Sequence, residues 1–153
     1  MLGQEIEFSS VEYGIKGDNP QQIIRNMARM IGRDVHSSAM SAHHEMEKSL
    51  KSATSTIGEG VAIFDWSSRK IDIPYVMCVR LENSVQFSVV DDKAIDIILV
   101  LVSPESSGSI HLQSLSRLTR MFRDTKLVDS LRSATCADGM LSVLSPENRR
   151  LAA

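Results

Sequence analysis

The sequence predicts an α/β domain with helices on both faces of a mixed sheet. The first observation is a length of 153 residues with 42% hydrophobic residues, enough to bury one core without disulfides. The second is the order of the periodic segments: amphipathic helical patterns come first, strand-like runs follow, and a long apolar run then leads into further helices. Both observations favour a single domain over residues 1–153.

Charge and cysteine content argue against several functional classes. The 17 Lys and Arg residues against 19 Asp and Glu residues give a net charge of −2, which predicts no general affinity for nucleic acid or acidic membranes. Cys78 and Cys136 make neither a disulfide framework nor a metal-ligand pair, which is typical of a reduced, cytoplasmic protein. The longest apolar run, 95–102, is far shorter than the roughly 20 residues that span a bilayer, so we expect no membrane insertion.

Two helices are predicted in the first third of the chain. Asp18 and Asn19 offer capping side chains just ahead of Pro20, whose missing N–H is not needed in a first helical turn. The predicted stop of this helix is Gly32. Its apolar stripe consists of Ile23, Ile24, Met27, Met30 and Ile31. A second, weaker stripe over 38–51 consists of Ala39, Met40, His43, Met46 and Leu50.

Three strand-like segments occupy the middle of the chain. Two glycines precede the short apolar run 61–64, and a second strand is predicted over 73–81. The run 94–102 is rich in Ile, Val and Leu almost without alternation, as expected for a strand that is covered on both faces. We therefore place 94–102 at the centre of the sheet and expect this strand to end at Pro104.

Helical spacing returns after these strands. A loop rich in serine leads into a predicted helix over 111–123, whose core stripe is Leu112, Leu115, Leu118 and Phe122. A shorter helix is predicted over 126–132, and a last short segment covers 140–144. We expect the tail 145–153 to fray.

Three segments resemble a known family: 56–65 (TIGEGVAIFD), 91–105 (DDKAIDIILVLVSPE) and 111–124 (HLQSLSRLTRMFRD). They are similar to the enzyme IIA domain of the bacterial phosphoenolpyruvate phosphotransferase system, and most of all to its nitrogen-regulatory branch, which shares the fold of the mannitol and fructose IIA domains. The resemblance covers about residues 5–147, the expected domain core. It implies a three-layer α/β/α domain with a mixed central sheet of about five strands.

The resemblance also identifies the expected site. In the family, the strand after the glycine loop runs into Ile-Pro-His-Gly, and this histidine takes a phosphoryl group from a small histidine-bearing carrier protein. The present sequence has Ile63, Phe64, Asp65 and Trp66 there, so the resemblance implies that Asp65 replaces the phospho-accepting histidine. The second histidine of the family site is retained as His111.

The chemistry explains why this replacement matters. A neutral imidazole can attack a phosphohistidine in line and hold the phosphoryl group at similar energy. A carboxylate is no simple substitute, because acyl-phosphate chemistry normally recruits a divalent metal and a nearby lysine. No acidic cluster accompanies Asp65 in the sequence, and we expect neither a metal nor a cofactor. An arginine that contacts the phosphoryl group in the family aligns with about Ser49, where Lys48 or Lys51 could substitute.

The site residues keep more than one interpretation. Asp65 has three interpretations. It is a loop residue without a chemical role, or a fixed negative charge that imitates part of a phosphohistidine, or a phosphoryl acceptor. His111 is expected to line the pocket, and an acceptor role is its alternative. If the family geometry holds, Asp65 and His111 face one another within hydrogen-bond reach. Phe64 and Trp66 either plug the pocket as packing residues or present an altered contact surface.

Three functions are compatible with these residues. The preferred one is a nitrogen-regulatory IIA-like protein that has lost phosphotransfer and acts as a regulatory binding module. The second is an active phosphocarrier that accepts a phosphoryl group on Asp65 or His111 from a histidine-bearing carrier. The third is an unrelated scaffold role with a vestigial pocket. The expected partners are the phosphocarrier protein of the phosphotransferase system or regulatory target proteins.

Overall fold

The computed structural model describes residues 6–36, 39–51, 56–87 and 93–145. A 3-10 turn, Glu105–Ser107, connects the last strand to the third helix. The strands are β1 (Ser10–Ile15), β2 (Thr56–Gly58), β3 (Val61–Ser68), β4 (Tyr75–Val85) and β5 (Ile95–Pro104). The helices are α1 (Pro20–Asp34), α2 (Ala39–Lys51), α3 (Ser109–Met121), α4 (Thr125–Ser133) and α5 (Ala137–Leu144).

The strands form one mixed sheet in the order β1-β4-β5-β3-β2. The β5 strand runs parallel to β3 and antiparallel to β4, while β1 is parallel to β4 and β2 is antiparallel to β3. All residues of β5 except Asp96 are buried, as a central strand covered on both faces requires. The predicted mixed sheet of about five strands, with the long apolar run at its centre, is confirmed.

Helices cover both faces of this sheet. Side chains alternate between the faces along a strand. On β3, Ala62 and Phe64 join the core formed with α1 and α2, whereas Val61 and Ile63 join the core formed with α3, α4 and α5. The three-layer α/β/α architecture is therefore confirmed. Among the described residues, no helix combines the length and the apolar character needed to cross a bilayer.

The α1 helix begins where the sequence predicts and ends later. Asn19 Oδ1 accepts a hydrogen bond from the Gln22 N–H at 3.0 Å, which caps the helix that starts at Pro20. The predicted stop at Gly32 is wrong, because the helix continues to Asp34 and Gly32 is buried within it. Packing of this face outweighs the cost of about 1 kcal/mol that a helical glycine carries relative to alanine.

Two predicted core residues point to solvent instead. Met40 is 79% exposed and Leu112 is 67% exposed, so their assignment to the inner stripes is wrong. The α2 helix meets the core along Ala42 and Met46, and Met40 lies about 200° around the helix from Ala42. The α3 helix is buried at Leu118, and Leu112 lies about 120° away from it. Spacing alone did not determine which side of each stripe faces the sheet.

The ends of the strands differ most from expectation. The strands β1 and β2 were not predicted, and β3 extends to Ser68 instead of ending at residue 64. The β4 strand starts at Tyr75, and Ile73, which the sequence placed in the strand, is 77% exposed before it. Residue 38, the predicted start of the second helix, and the tail 146–153 lie outside the described residues.

Candidate functional site

Asp65 lies near the carboxyl end of β3, on the face that is covered by α3, α4 and α5. It shares this face with Val61 and Ile63 because side chains two apart on a strand point the same way. The neighbouring β5 runs parallel, so both strands end at the same edge of the sheet, with Ser67 opposite Ser103. Such an edge is the common place for functional sites in open α/β sheets.

His111 reaches the same edge from the first turn of α3. The chain leaves β5 at Pro104, makes the 3-10 turn, and enters α3 through Gly108, whose φ of +57° lies in the left-handed region that favours glycine. Ser107 Oγ donates to the Pro104 carbonyl oxygen at 2.7 Å and fixes this turn. The turn thus brings the start of α3 back over the end of β5.

Asp65, His111 and Ser103 form one hydrogen-bonded chain. His111 Nε2 lies 2.8 Å from Asp65 Oδ2, and His111 Nδ1 lies 2.6 Å from Ser103 Oγ. Exposure increases along this chain: Ser103 is 1% exposed, and the side chains of His111 and Asp65 are 14% and 36% exposed. The expected juxtaposition of Asp65 and His111 is present in the structure.

The partners assign the protons on the imidazole. A carboxylate only accepts hydrogen bonds, so His111 Nε2 carries the proton that it donates to Asp65 Oδ2. His111 Nδ1 accepts the Ser103 hydroxyl proton when the ring is neutral and donates to Ser103 Oγ when the ring is protonated. Both ring nitrogens therefore have partners in either state. With a neutral ring, the Asp65–His111 pair carries one negative charge at a half-exposed position.

Sequence reasoning missed Ser103. It lies near the end of the central strand β5, and it is a buried polar residue on the face beneath His111. A buried hydroxyl requires a hydrogen-bond partner, and the histidine supplies it. The available signal was a serine directly after a run of Ile, Val and Leu, but only the turn into α3 shows which side chain it meets.

The bulky neighbours of Asp65 do not cover it. Phe64 is fully buried in the α1–α2 core, and Trp66 packs against the same core. Both side chains thus lie on the opposite face of the sheet from Asp65. The interpretation of these residues as a plug of the pocket is wrong, and they are packing residues of the other layer.

The charged groups near this edge pair locally. Within the described residues, the side chain within salt-bridge distance of Asp65 is His111, which is charged only when its ring is protonated. Arg69, just after β3, lies with its Nε 2.7 Å from Glu105 Oε2, just after β5.

Lys48 is exposed and Ser49 is half-buried on α2, the helix that packs on the other face of the sheet. The described residues show no group of three or more His, Cys, Asp and Glu side chains placed to hold a metal.

Comparisons with known proteins agree with this architecture. The family model for the phosphoenolpyruvate-dependent sugar phosphotransferase system, EIIA 2, matches residues 6–146. A nitrogen regulatory protein of Bradyrhizobium diazoefficiens is 32% identical over 95 residues, which is 62% of each chain. The structure of nitrogen regulatory protein IIA-Ntr from Neisseria meningitidis superposes with a TM-score of 0.79 at 20% identity, covering 90% of this chain and 93% of that one. Mannitol IIA in complex with phosphorylated mannitol IIB, from Escherichia coli, gives 0.72 at 16% identity, covering 92% and 96%.

Proposed function

Because this chain belongs to the EIIA 2 family of the phosphoenolpyruvate-dependent sugar phosphotransferase system, we propose that it is a nitrogen-regulatory IIA-like protein that binds other proteins and no longer accepts a phosphoryl group. The observation that carries the proposal is Asp65 Oδ2 bound to His111 Nε2 at 2.8 Å. In this proposal Asp65 stands where the family has its phospho-accepting histidine. The whole chain, residues 1–153, acts as one cytoplasmic IIA-like domain.

His111 is poorly arranged to accept the phosphoryl group in place of Asp65. An attacking imidazole nitrogen needs a lone pair that points at the incoming phosphorus. His111 Nδ1 is engaged with buried Ser103, and Nε2 donates its proton to Asp65. A phosphoryl donor would have to break one of these hydrogen bonds first, and this supports a positioning role for His111.

Asp65 also lacks the support that an acceptor carboxylate normally has. Acyl-phosphate formation brings a dianionic group onto a carboxylate, and a metal and a lysine usually offset that charge. The group that contacts the Asp65 carboxylate within the described residues is the imidazole of His111. This arrangement favours the interpretation of Asp65 as a fixed negative charge, weaker than the roughly −1.5 to −2 of a phosphoryl group.

A protein partner fits the retained scaffold. The mannitol IIA of Escherichia coli, similar to this chain in fold, has been solved in complex with phosphorylated mannitol IIB. We propose that the partners here are the phosphocarrier protein of the phosphotransferase system or regulatory target proteins, bound at the edge that carries Asp65. In this proposal the Asp65 carboxylate, which carries its charge without phosphorylation, holds the chain in one binding state.

Intact-mass analysis tests the loss of transfer. The wild type, Asp65→Ala and His111→Ala are incubated with phosphoenolpyruvate, the first enzyme of the nitrogen branch and its carrier protein. The carrier gains a phosphoryl group in the same tube, which controls for active reagents. The proposal expects unchanged masses for all three chains. A phosphate-sized gain that is lost in one variant would identify that residue as the acceptor and establish the phosphocarrier function instead.

A further inference from the structure

We propose that the exposed side of α3 binds an amphipathic helix of a partner protein whose apolar stripe ends in acidic side chains. This inference rests on the proposed binding function and names the chemistry of the partner. The surface, called the α3 groove below, is open and has a volume of about 380 Å³. The α3 groove is lined by Leu112, Leu115, Ser116, Thr119, Arg120 and Arg123.

The end of the α3 groove next to Asp65 is apolar. Leu112 follows His111 in the sequence, lines this end of the groove and is 67% exposed. Leu115, one turn further along, is partly buried against the α3–α5 core and forms the floor of the groove. Large aliphatic side chains that lie together on a surface mark sites of protein binding more often than isolated ones do. This end therefore suits the apolar stripe of a partner helix.

The other end of the α3 groove is positively charged. Arg120 and Arg123 are exposed, and neither forms an ion pair within the described part of the chain. Leu112 and Arg120 are eight residues apart on α3, which corresponds to about 12 Å or a little over two helical turns, and Arg123 follows just after the end of the helix. A partner helix of that length fills the groove with apolar residues near Leu112 and carboxylates near the two arginines. Charge complementarity of this kind fixes both the partner and its orientation.

The charges argue against the chain's own tail as the occupant. Residues 146–153 (PENRRLAA) contain two arginines and one glutamate, so the net charge of their side chains is positive, like that of Arg120 and Arg123. Like charges placed together disfavour such a contact. A second copy of the chain is the other competing occupant, and the test below distinguishes it by mass.

Peptide binding to the full-length chain tests the proposal. One probe is a side-chain-stapled helical peptide of about 15 residues with a leucine stripe and glutamates at one end, since unstapled helices of this length are marginal. The second probe has lysines in place of the glutamates. Chemical-shift changes of the ¹⁵N-labelled chain map the contact and give the affinities. We expect saturable shifts over residues 110–123 and an affinity for the acidic peptide about tenfold higher than for the basic one.

Two double variants with the same change of net charge separate local pairing from overall charge. Arg120→Glu/Arg123→Glu should reverse the preference between the peptides. Arg25→Glu/Arg29→Glu alters two exposed arginines of α1, on the opposite face of the sheet, and should leave the preference unchanged. Sedimentation of the wild type should show a monomer, which leaves the groove open to a partner.

Several results would overturn the proposal: equal binding of both peptides, shifts that map away from α3, an equal effect of both double variants, or a dimer that dissociates in Arg120→Glu/Arg123→Glu. These failures are distinct from failure of the proposed function. A phosphoryl gain in the mass assay would refute the loss of transfer without moving the peptide affinities. Loss of the peptide preference with unchanged mass would refute the α3 groove alone.

Discussion

At the scale of single residues, the site is a hydrogen-bonded chain that starts in the core and ends at the surface. Ser103 holds one nitrogen of His111, and Asp65 accepts from the other. A buried polar chain of this kind is stable only when each member keeps its partner. We therefore expect the orientation of Asp65 to depend on Ser103, which is 1% exposed.

Removing the Ser103 hydroxyl tests this dependence. Ser103→Ala leaves His111 Nδ1 without its buried partner, and we expect the free energy of unfolding to fall by about 1–2 kcal/mol. Urea unfolding measures this loss, and long-range ¹H–¹⁵N spectra of the imidazole should show a shifted Nδ1 resonance, because the hydrogen bond to Ser103 is gone. Ser67→Ala, in an exposed residue opposite Ser103 on the neighbouring strand, is the control and should change neither quantity. Equal stability of the two variants would contradict the structural role of Ser103.

The sequence allowed part of this site to be predicted. The resemblance placed Asp65 and His111 face to face, and the structure has them in contact. Their functional roles stay predictions. Ser103 was not predicted because its partner is set by the path of the turn into α3, and a serine at a strand end has many other uses. Phe64 and Trp66 are packing residues but do not plug the pocket, because neighbours along a strand point to opposite faces and both lie opposite Asp65.

At the scale of elements, one arginine connects α4 to the sheet. Arg132 donates from Nε and Nη2 to the two carboxylate oxygens of Asp96 on β5, both at 2.8 Å, and also to the Glu59 carbonyl oxygen in the turn between β2 and β3. Hydrogen bonding to Asp96 is the main cause that raises the pKa of Arg132. Gly60 leaves room for this contact, because a Cβ there would meet Arg132 Nη2 at 2.7 Å.

Breaking this connection should destabilise the fold. Arg132→Ala leaves Asp96 and the Glu59 carbonyl without their donor, and we expect a loss of about 1–2 kcal/mol in the free energy of unfolding. Arg132→Lys should recover less than half of it, since an ammonium cannot donate two parallel hydrogen bonds from a planar group. Lys126→Ala, in an exposed residue of the same helix, should stay within about 0.5 kcal/mol of the wild type. An Arg132→Ala variant as stable as Lys126→Ala would refute the connection.

The elements that were predicted well are those with a strong local signal. The capped start of α1 and the apolar run of β5 depend on residues close together in the sequence, and both are found. The β1 strand mixes polar and apolar residues, so no local pattern predicts it. It is stabilised by pairing with β4, more than 60 positions later in the chain. The end of α1 was misplaced because tertiary packing carries the helix through Gly32.

At the scale of the whole molecule, a buried tyrosine joins the helical layer to the sheet. Tyr75 at the start of β4 donates its hydroxyl proton to Asp34 Oδ2, at the end of α1, at 2.7 Å. Burial, followed by the bond to Asp34, strongly raises the pKa of Tyr75. The folded chain therefore keeps this proton at pH values at which the unfolded chain, with a tyrosine pKa of about 10, releases it.

This difference predicts alkaline destabilisation. Above about pH 10 the unfolded state binds fewer protons than the folded state, so stability falls as pH rises, by up to about 1.4 kcal/mol per pH unit for this one group. Tyr75→Phe should be less stable at neutral pH, having lost the bond to Asp34, but its stability should fall less steeply between pH 9 and 11. Tyr13→Phe, in a tyrosine that is 42% exposed, should keep the wild-type slope. Unfolding curves at each pH give the slopes, and identical slopes for wild type and Tyr75→Phe would contradict this account.

The order of strands was beyond the reach of local patterns. Helical and strand periodicity predicted the class of fold and the central strand, while the resemblance implied three layers and about five strands. The pairing of β1 with β4 and of β3 with β5 joins segments far apart in the chain, and periodicity carries no information about such pairs. The same long-range pairing brings Asp65 and Ser103 to one edge, so the complete site emerges only in the folded molecule.

We propose that Asp65, in the place of the acceptor histidine, has removed phosphoryl transfer while the scaffold remains. The most direct test is the intact mass of the wild-type chain after incubation with phosphoenolpyruvate, the first enzyme of the nitrogen branch and its carrier. We predict an unchanged mass while the carrier in the same tube gains a phosphoryl group. A phosphate-sized gain on the wild-type chain would contradict the claim.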